Sequence, residues 1–218
     1  MPKKQKNLKT FVLALSAISL FLFLILSYFV SIDSLALNNF DLSLTVNLQK
    51  LIPKSFDTTL SFLSIIGTFE IITIFLIIAL TKIKSTKNKI IILVLYVVGS
   101  SIELIQKLAV YHPTPPANFF RYNLRFLFPS GFVQTGDSFP SGHAFRTVFL
   151  LTIIGFILLT KKYKSENNKY FHFFILLLFL VAMLISRVSL GEHWATDVIG
   201  GALLAFSFSL ISVYKCLI

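Results

Sequence analysis

The chain has 218 residues, of which 56% are hydrophobic and 13% charged, and its mean hydropathy is +0.82. That excludes a water-soluble globular domain: the charge is too sparse for a wetted surface, while the apolar length suffices for several membrane-spanning helices of about 20 residues each. The formal net charge of +11 reports topology in such a chain before it reports a nucleic-acid partner, and a single cysteine, Cys216, leaves no internal disulfide or cysteine metal site.

Lys3, Lys4, Lys6 and Lys9 precede an uncharged run from Thr10 to Val30. The run is too long for the apolar part of a signal peptide and no small-residue cleavage site follows, so it reads as a first, uncleaved span. Further spans are predicted at about Thr58 to Leu80, interrupted by Glu70, and Lys89 to Val110, with Glu103 and Lys107 late in it. Three more follow at His143 to Thr160, Tyr170 to Ser186, and Trp194 to Tyr214, the last with Asp197 near its start. The expected fold is an all-α integral membrane bundle of six transmembrane helices, one domain over residues 1–218. Ser31 to Asp57 and Tyr111 to Ser141 read as its longest non-helical stretches.

Lysines also cluster between the second and third spans (Lys82, Lys84, Lys87, Lys89), between the fourth and fifth (Lys161, Lys162, Lys164, Lys169), and after the sixth (Lys215). With the N-terminal group they fall on one side. The opposite loops hold Asp33, Asp41, Asp57 and Asp137 against Lys50, Lys54, Arg121 and Arg125, a near balance. By the positive-inside rule both termini are cytoplasmic. The basic excess is a topology signal, and no nucleic-acid partner is expected.

Charged groups inside spans are costly and point to function, and here they gather at one depth. Lys107 ends the third span, Ser141, Gly142, His143 and Arg146 open the fourth, Arg187 ends the fifth, and His193 and Asp197 open the sixth, all at the outer face. Lys107 and Arg187 are cationic donors suited to phosphate oxygens. Ser141 and Gly142 stand where a loop becomes a helix, so their N–H groups and the helix dipole suit an anion, and Gly142 lacks the Cβ that would block it. Four residues separate His193 from Asp197, which on a helix puts both on one face; the carboxylate holds one ring N–H and leaves the other nitrogen as a nucleophile. His143 is placed to protonate a departing oxygen and then to draw a proton from water. This chemistry asks for no metal and no cofactor.

Pro140-Ser141-Gly142-His143, followed by Ser186-Arg187, five residues, His193, three residues and Asp197, resembles the second and third signatures of the type 2 phosphatidic acid phosphatase superfamily. The motifs run from Lys107 to Asp197. The resemblance implies that His193 is the nucleophile of a phosphohistidine mechanism, His143 the acid and Asp197 the orienting carboxylate, with Lys107, Ser141, Gly142 and Arg187 holding phosphate oxygens. It implies a membrane lipid phosphatase in the cell (inner) membrane, facing the extracytoplasmic side, of the undecaprenyl-diphosphate phosphatase-like branch. Its substrates would be undecaprenyl diphosphate, phosphatidylglycerol phosphate or phosphatidic acid. Alternatives are a lipid phosphotransferase using the same intermediate and a catalytically weakened lipid-phosphate binder.

One departure stands out. The family's first signature is lysine, six residues, arginine-proline, but here Thr114-Pro115 follows Lys107 at that distance. Arg146, one turn after His143, is the favoured replacement because its helix already belongs to the site; Arg121 or Arg125 reaching in from the loop, or weakened catalysis, are the alternatives. His112 could contribute there too, but a loop histidine beside prolines reads first as merely exposed; His172 reads as structural, and Glu70 as packing on a polar neighbour. The loop aromatics Phe119, Phe120, Tyr122, Phe126, Phe128, Phe132 and Phe139 either lie on the headgroups or line a lipid portal.

Overall fold

The computed structural model describes residues 3–126, 128–132, 137–160 and 166–216. Lys161, Lys162 and Lys164 lie outside the described residues, and the side chains of Lys3, Lys4 and Phe132 are not described. The helices in chain order are α1 (Lys3–Ser31), α2 (Leu35–Leu51), α3 (Asp57–Ile66), α4 (Phe69–Leu80), α5 (Thr86–Ala109), α6 (Gly142–Thr160), α7 (Glu166–Ser189) and α8 (Ala195–Cys216), with short 3-10 turns in the loops. Among the described residues α1, α5, α6, α7 and α8 are long and apolar enough to cross a membrane, and α3 with α4 makes a sixth candidate, bent by 56°. The protein is a multi-pass membrane protein.

The single span read over Thr58 to Leu80 is therefore corrected to a broken pair. At the break the Gly67 N–H bonds back to the carbonyls of Leu63 and Ser64, and Thr68, in extended backbone, donates its hydroxyl to Ile65 O at 2.8 Å. These bonds satisfy carbonyls that an ending helix releases. Hydropathy does not report the break because both halves are equally apolar.

The second correction is α2, a 17-residue helix inside the stretch read as non-helical. Its polarity is inverted: Asp41 and Thr45, one turn apart, are buried, whereas Leu35, Leu42 and Leu51 are exposed. Such a helix shows neither a charge-free span nor an apolar stripe facing a core.

At the centre stands α8, with 72% of its most apolar window buried against 22% to 44% in the other spans. Around it pack α1, α5 and α6. Helices in lipid associate through close packing and interhelical hydrogen bonds. Ser16 Oγ accordingly donates to Ser207 O at 3.0 Å and Ser19 Oγ to Leu203 O at 2.8 Å, both across α1 and α8. Gly201 lets the chain entering α6 lie directly on α8, since a Cβ there would stand 2.3 Å from the Ser141 carbonyl oxygen. Large rings fill the remaining space: Phe23 stacks on Phe139 at 6.0 Å, and Tyr96 packs on Phe145 and Phe149. Phe139 is thus a core residue rather than one of the interfacial aromatics. The outer faces of α1, α5 and α7 carry exposed Phe21, Val97 and Leu177, as a lipid-facing surface requires. The result is that the last turns of α5 and α7 and the first turns of α6 and α8 meet at one end of the bundle, with α2 and α3 beside them.

Candidate active site

A cleft of about 490 Å³ opens at that end, and its lining includes Lys107, Thr114, His143, Arg146, Arg187 and His193. Six residues from four separate segments of sequence thus meet in one cavity. Asp197 is fully buried behind His193. Its Oδ2 lies 3.2 Å from His193 Nδ1 and accepts the Trp194 backbone N–H at 2.9 Å. Since α8 begins at Ala195, His193 precedes the helix instead of sharing a face with Asp197. The carboxylate meets it by reaching back over the first turn, where it caps an otherwise unpaired N–H. His193 Nδ1 is occupied by this contact, so Nε2 is the nitrogen left for chemistry in the cleft. Burial holds the His193 pKa below its ordinary value; the Asp197 hydrogen bond and charge oppose this, and the Arg187 and Lys107 cations add to it. The imidazole is therefore neutral, with its lone pair available, at neutral pH.

The three cations of the cleft are each held by a carboxylate. Arg187 is 2% exposed; its Nη1 lies 2.7 Å from Glu192 Oε2 and also bonds Ser64 Oγ. Lys107 Nζ lies 2.8 Å from Glu103 Oε1, and Arg146 Nη1 lies 3.7 Å from Glu103 Oε2. Glu103 and Lys107 form the i, i+4 pair their spacing allows, whereas the role of Glu192 has no signal in the sequence. The two guanidinium Nε atoms, of Arg146 and Arg187, are buried and have no hydrogen-bond partner among the described residues. Buried donors without partners are costly, and both belong to side chains that line the cleft, where an anion would satisfy them.

Ser141 and Gly142 also make contacts within the protein that their spacing does not announce. The Ser141 N–H donates to Asp197 O at 2.9 Å, which fastens the start of α6 to α8 and leaves that N–H engaged. Ala144 N–H lies 3.5 Å from Ser141 Oγ, a long N-terminal cap. A Cβ at Gly142 would stand 2.7 Å from Arg146 Nη1 and 2.8 Å from Glu103 Oε1, so the missing side chain makes room for this ion pair. Arg121 is also placed elsewhere: it bonds Asp57 through Nε at 3.1 Å and Nη2 at 2.5 Å, and caps Gln49 O and Ile52 O. Arg125 is exposed. Of the candidate replacements for the absent arginine, Arg146 is the one that lines the cleft with Thr114.

His112 is not exposed. It is buried, and its Nδ1 lies 2.8 Å from Asp197 Oδ1. Glu70 does meet a polar neighbour, accepting from Ser130 N at 2.8 Å and Ser130 Oγ at 2.7 Å, and so ties the loop before α6 to α4. Phe120, Tyr122, Phe126 and Phe128 line the cleft, with Phe120 and Phe126 more than half exposed. His172 is an exposed residue that bonds the Asn168 carbonyl one turn earlier.

Residues 90–216 match the PAP2 superfamily. The chain is also similar to the crystal structure of a transmembrane PAP2-type phosphatidylglycerolphosphate phosphatase from Bacillus subtilis, with a TM-score of 0.69 at 19% sequence identity. The match covers 90% of this chain and 93% of that one, a likeness of fold. No curated protein matches the chain.

Proposed function

The chain belongs to the PAP2 superfamily, and from that premise we propose that it is a membrane lipid phosphatase working through a phosphohistidine on His193. The observation that carries this reading is the meeting of His193, backed by Asp197, with His143, Lys107, Arg146 and Arg187 in one cleft. His193 Nε2 attacks phosphorus as the bond to the leaving oxygen breaks, and His143 gives that oxygen its proton. Water then attacks the phosphohistidine, giving its proton to His143 and releasing phosphate and free His193. Lys107, Arg146, Arg187 and the first-turn N–H groups of α6 stabilise the charge spread over the equatorial oxygens. Ser141 contributes by fixing α6 against Asp197 rather than through its own N–H.

The substrate is a lipid phosphomonoester or diphosphate of the undecaprenyl diphosphate, phosphatidylglycerol phosphate or phosphatidic acid class. The aromatic rim supports a lipid: Phe120 and Phe126 offer apolar surface beside the cationic residues of the same cleft. In this reading residues 1–218 act as one domain in the cell membrane, with the cleft on the extracytoplasmic side. Detergent-purified protein is expected to release inorganic phosphate from at least one of these three lipids with EDTA present. No release from any of them by folded protein would overturn the phosphatase reading, and appearance of the phosphoryl group on an added lipid acceptor would redirect it to transfer.

Gly142→Ala tests the ion pair built around the site. The groups it displaces are ends of flexible side chains, so the protein is expected to fold, with kcat/KM lowered about 10- to 100-fold as Arg146 is pushed off its position. An unchanged unfolding temperature in detergent beside wild-type kcat/KM would show that the placement of Arg146 does not matter.

A further inference from the structure

Asp197 has two oxygens, and the proposed mechanism uses one. Oδ2 faces His193 and the Trp194 N–H, while Oδ1 meets His112 Nδ1 at 2.8 Å, a residue 85 positions earlier. His112 is 6% exposed and does not line the cleft. Its other ring nitrogen, Nε2, lies 3.8 Å from Asp41 Oδ2. Asp41 is in turn fixed by the Thr196 N–H at 2.8 Å and the Thr196 hydroxyl at 2.6 Å, so the inverted helix α2 is fastened to the first turn of α8 beside the site.

The main chain at His112 is equally constrained. Its N–H donates to Asp137 Oδ1 at 2.8 Å, and its carbonyl accepts from the Ser138 N–H at 2.8 Å and the Ser138 hydroxyl at 2.9 Å. The ring stands edge-on to Phe139, with centroids 6.3 Å apart. Three titratable groups thus face this imidazole or its backbone, Asp197 in the first turn of α8, Asp41 from α2 and Asp137 from the loop before α6, while His193 meets the other oxygen of Asp197. A neutral imidazole has one N–H and cannot serve a carboxylate on each nitrogen, whereas the imidazolium has two.

Resting on the reading of His193 as nucleophile, we propose that His112 is a positioning residue that acts through Asp197, fixing the rotation of that carboxylate and, as a cation between Asp41 and Asp197, weakening its pull on the His193 proton. The electrostatics agree with this geometry. Burial alone would lower the His112 pKa, but the Asp197 hydrogen bond and the Asp197, Asp41 and Asp137 charges outweigh it and hold the imidazolium above the ordinary range. Asp41 is pushed up by burial and, to a lesser degree, by the Asp197 charge; its Thr196 bonds and His112 oppose this. A carboxylate without a cationic partner would make His193 more basic and leave more of it protonated, and so unreactive, as pH falls. With His112 charged, that loss is postponed to lower pH.

Two substitutions separate the parts of this role. His112→Asn retains an N–H donor near the Nδ1 position without the charge, and His112→Ala removes both. With a lipid phosphate substrate, His112→Ala is expected to lower kcat about 10- to 100-fold with little change in KM, and His112→Asn to recover most of that loss. In both variants the acid limb of the kcat/KM profile is expected to move to higher pH, as is the His193 titration followed by ¹⁵N-histidine NMR of the unreacted protein. If Ala does not fold, Asn and Asp41→Asn decide: the latter removes the carboxylate on Nε2 and is expected to shift the same limb in the same direction. Wild-type rates, or lost kcat with an unmoved acid limb and an unmoved His193 titration, would overturn the inference. Full activity of His193→Ala would instead overturn the nucleophile reading on which it rests, so the two failures are distinguishable.

Discussion

Replacing His193 with alanine is expected to abolish phosphate release, lowering kcat by at least about 10³-fold, while the protein keeps its helical content and its unfolding temperature in detergent. The variant removes the atom that accepts the phosphoryl group, and the cleft holds no close substitute: among the residues that line it, the other imidazole is His143, which enters from α6 rather than from the turn before α8. His143→Ala gives a graded contrast. Loss of a general acid costs about 10²- to 10⁴-fold, and a substrate whose leaving oxygen departs without protonation should be largely spared. A further signature follows from the state of His193. Burial and the neighbouring Arg187 and Lys107 cations, against the Asp197 bond, hold its pKa below the ordinary value of about 6.5. The neutral ring is the nucleophile, so activity is retained as pH falls through the ordinary histidine range and is lost only below it. A wild-type acid limb above that range, or an active His193→Ala protein, would exclude His193 as the attacking group.

The sequence carried the helices that cross a membrane by length and hydropathy, because an uncharged 20-residue run has few other uses. It also marked the ends at which polar groups gather, and these ends do converge on one cleft. What it hid are contacts that depend on how helices meet. The His193 to Asp197 spacing suggested a shared helical face, yet the bond forms because Asp197 reaches back over the first turn of α8 to cap Trp194. The His112 to Asp197 contact spans 85 residues and has no spacing to announce it. Nor does anything in α2 identify Asp41 as an inward-facing partner, since a helix with its polar side buried looks like a loop to any reading based on apolar stripes. Gly142 was legible as a close approach, but the groups that need the space are Arg146 and Glu103.

The missing first-signature arginine makes Arg146 the most informative cation in the cleft. Three observations converge on it: it lines the cleft together with Thr114, where that arginine is absent; its Nε is buried without a partner among the described residues; and its Nη1 is held 3.7 Å from Glu103, a separation wider than the 2.8 Å between Lys107 and the same carboxylate. An arginine held that loosely by Glu103 can turn toward a phosphate oxygen, and transition-state charge strengthens that contact more than ground-state binding does. Arg146→Ala is therefore expected to lower kcat/KM about 10²- to 10³-fold, mostly through kcat, and to leave Glu103 with Lys107 as its remaining cation. Arg146→Lys should recover little, since a point charge cannot replace a planar fork on phosphate. Adding Thr114→Arg to Arg146→Ala should restore part of the rate, because it returns a guanidinium to the same cleft from the loop side. If Arg146→Ala has wild-type kinetics while the protein remains folded, then this site binds phosphate through Lys107, Arg187 and the start of α6 alone; a loss that Thr114→Arg does not repair would confine the requirement to a guanidinium carried by α6.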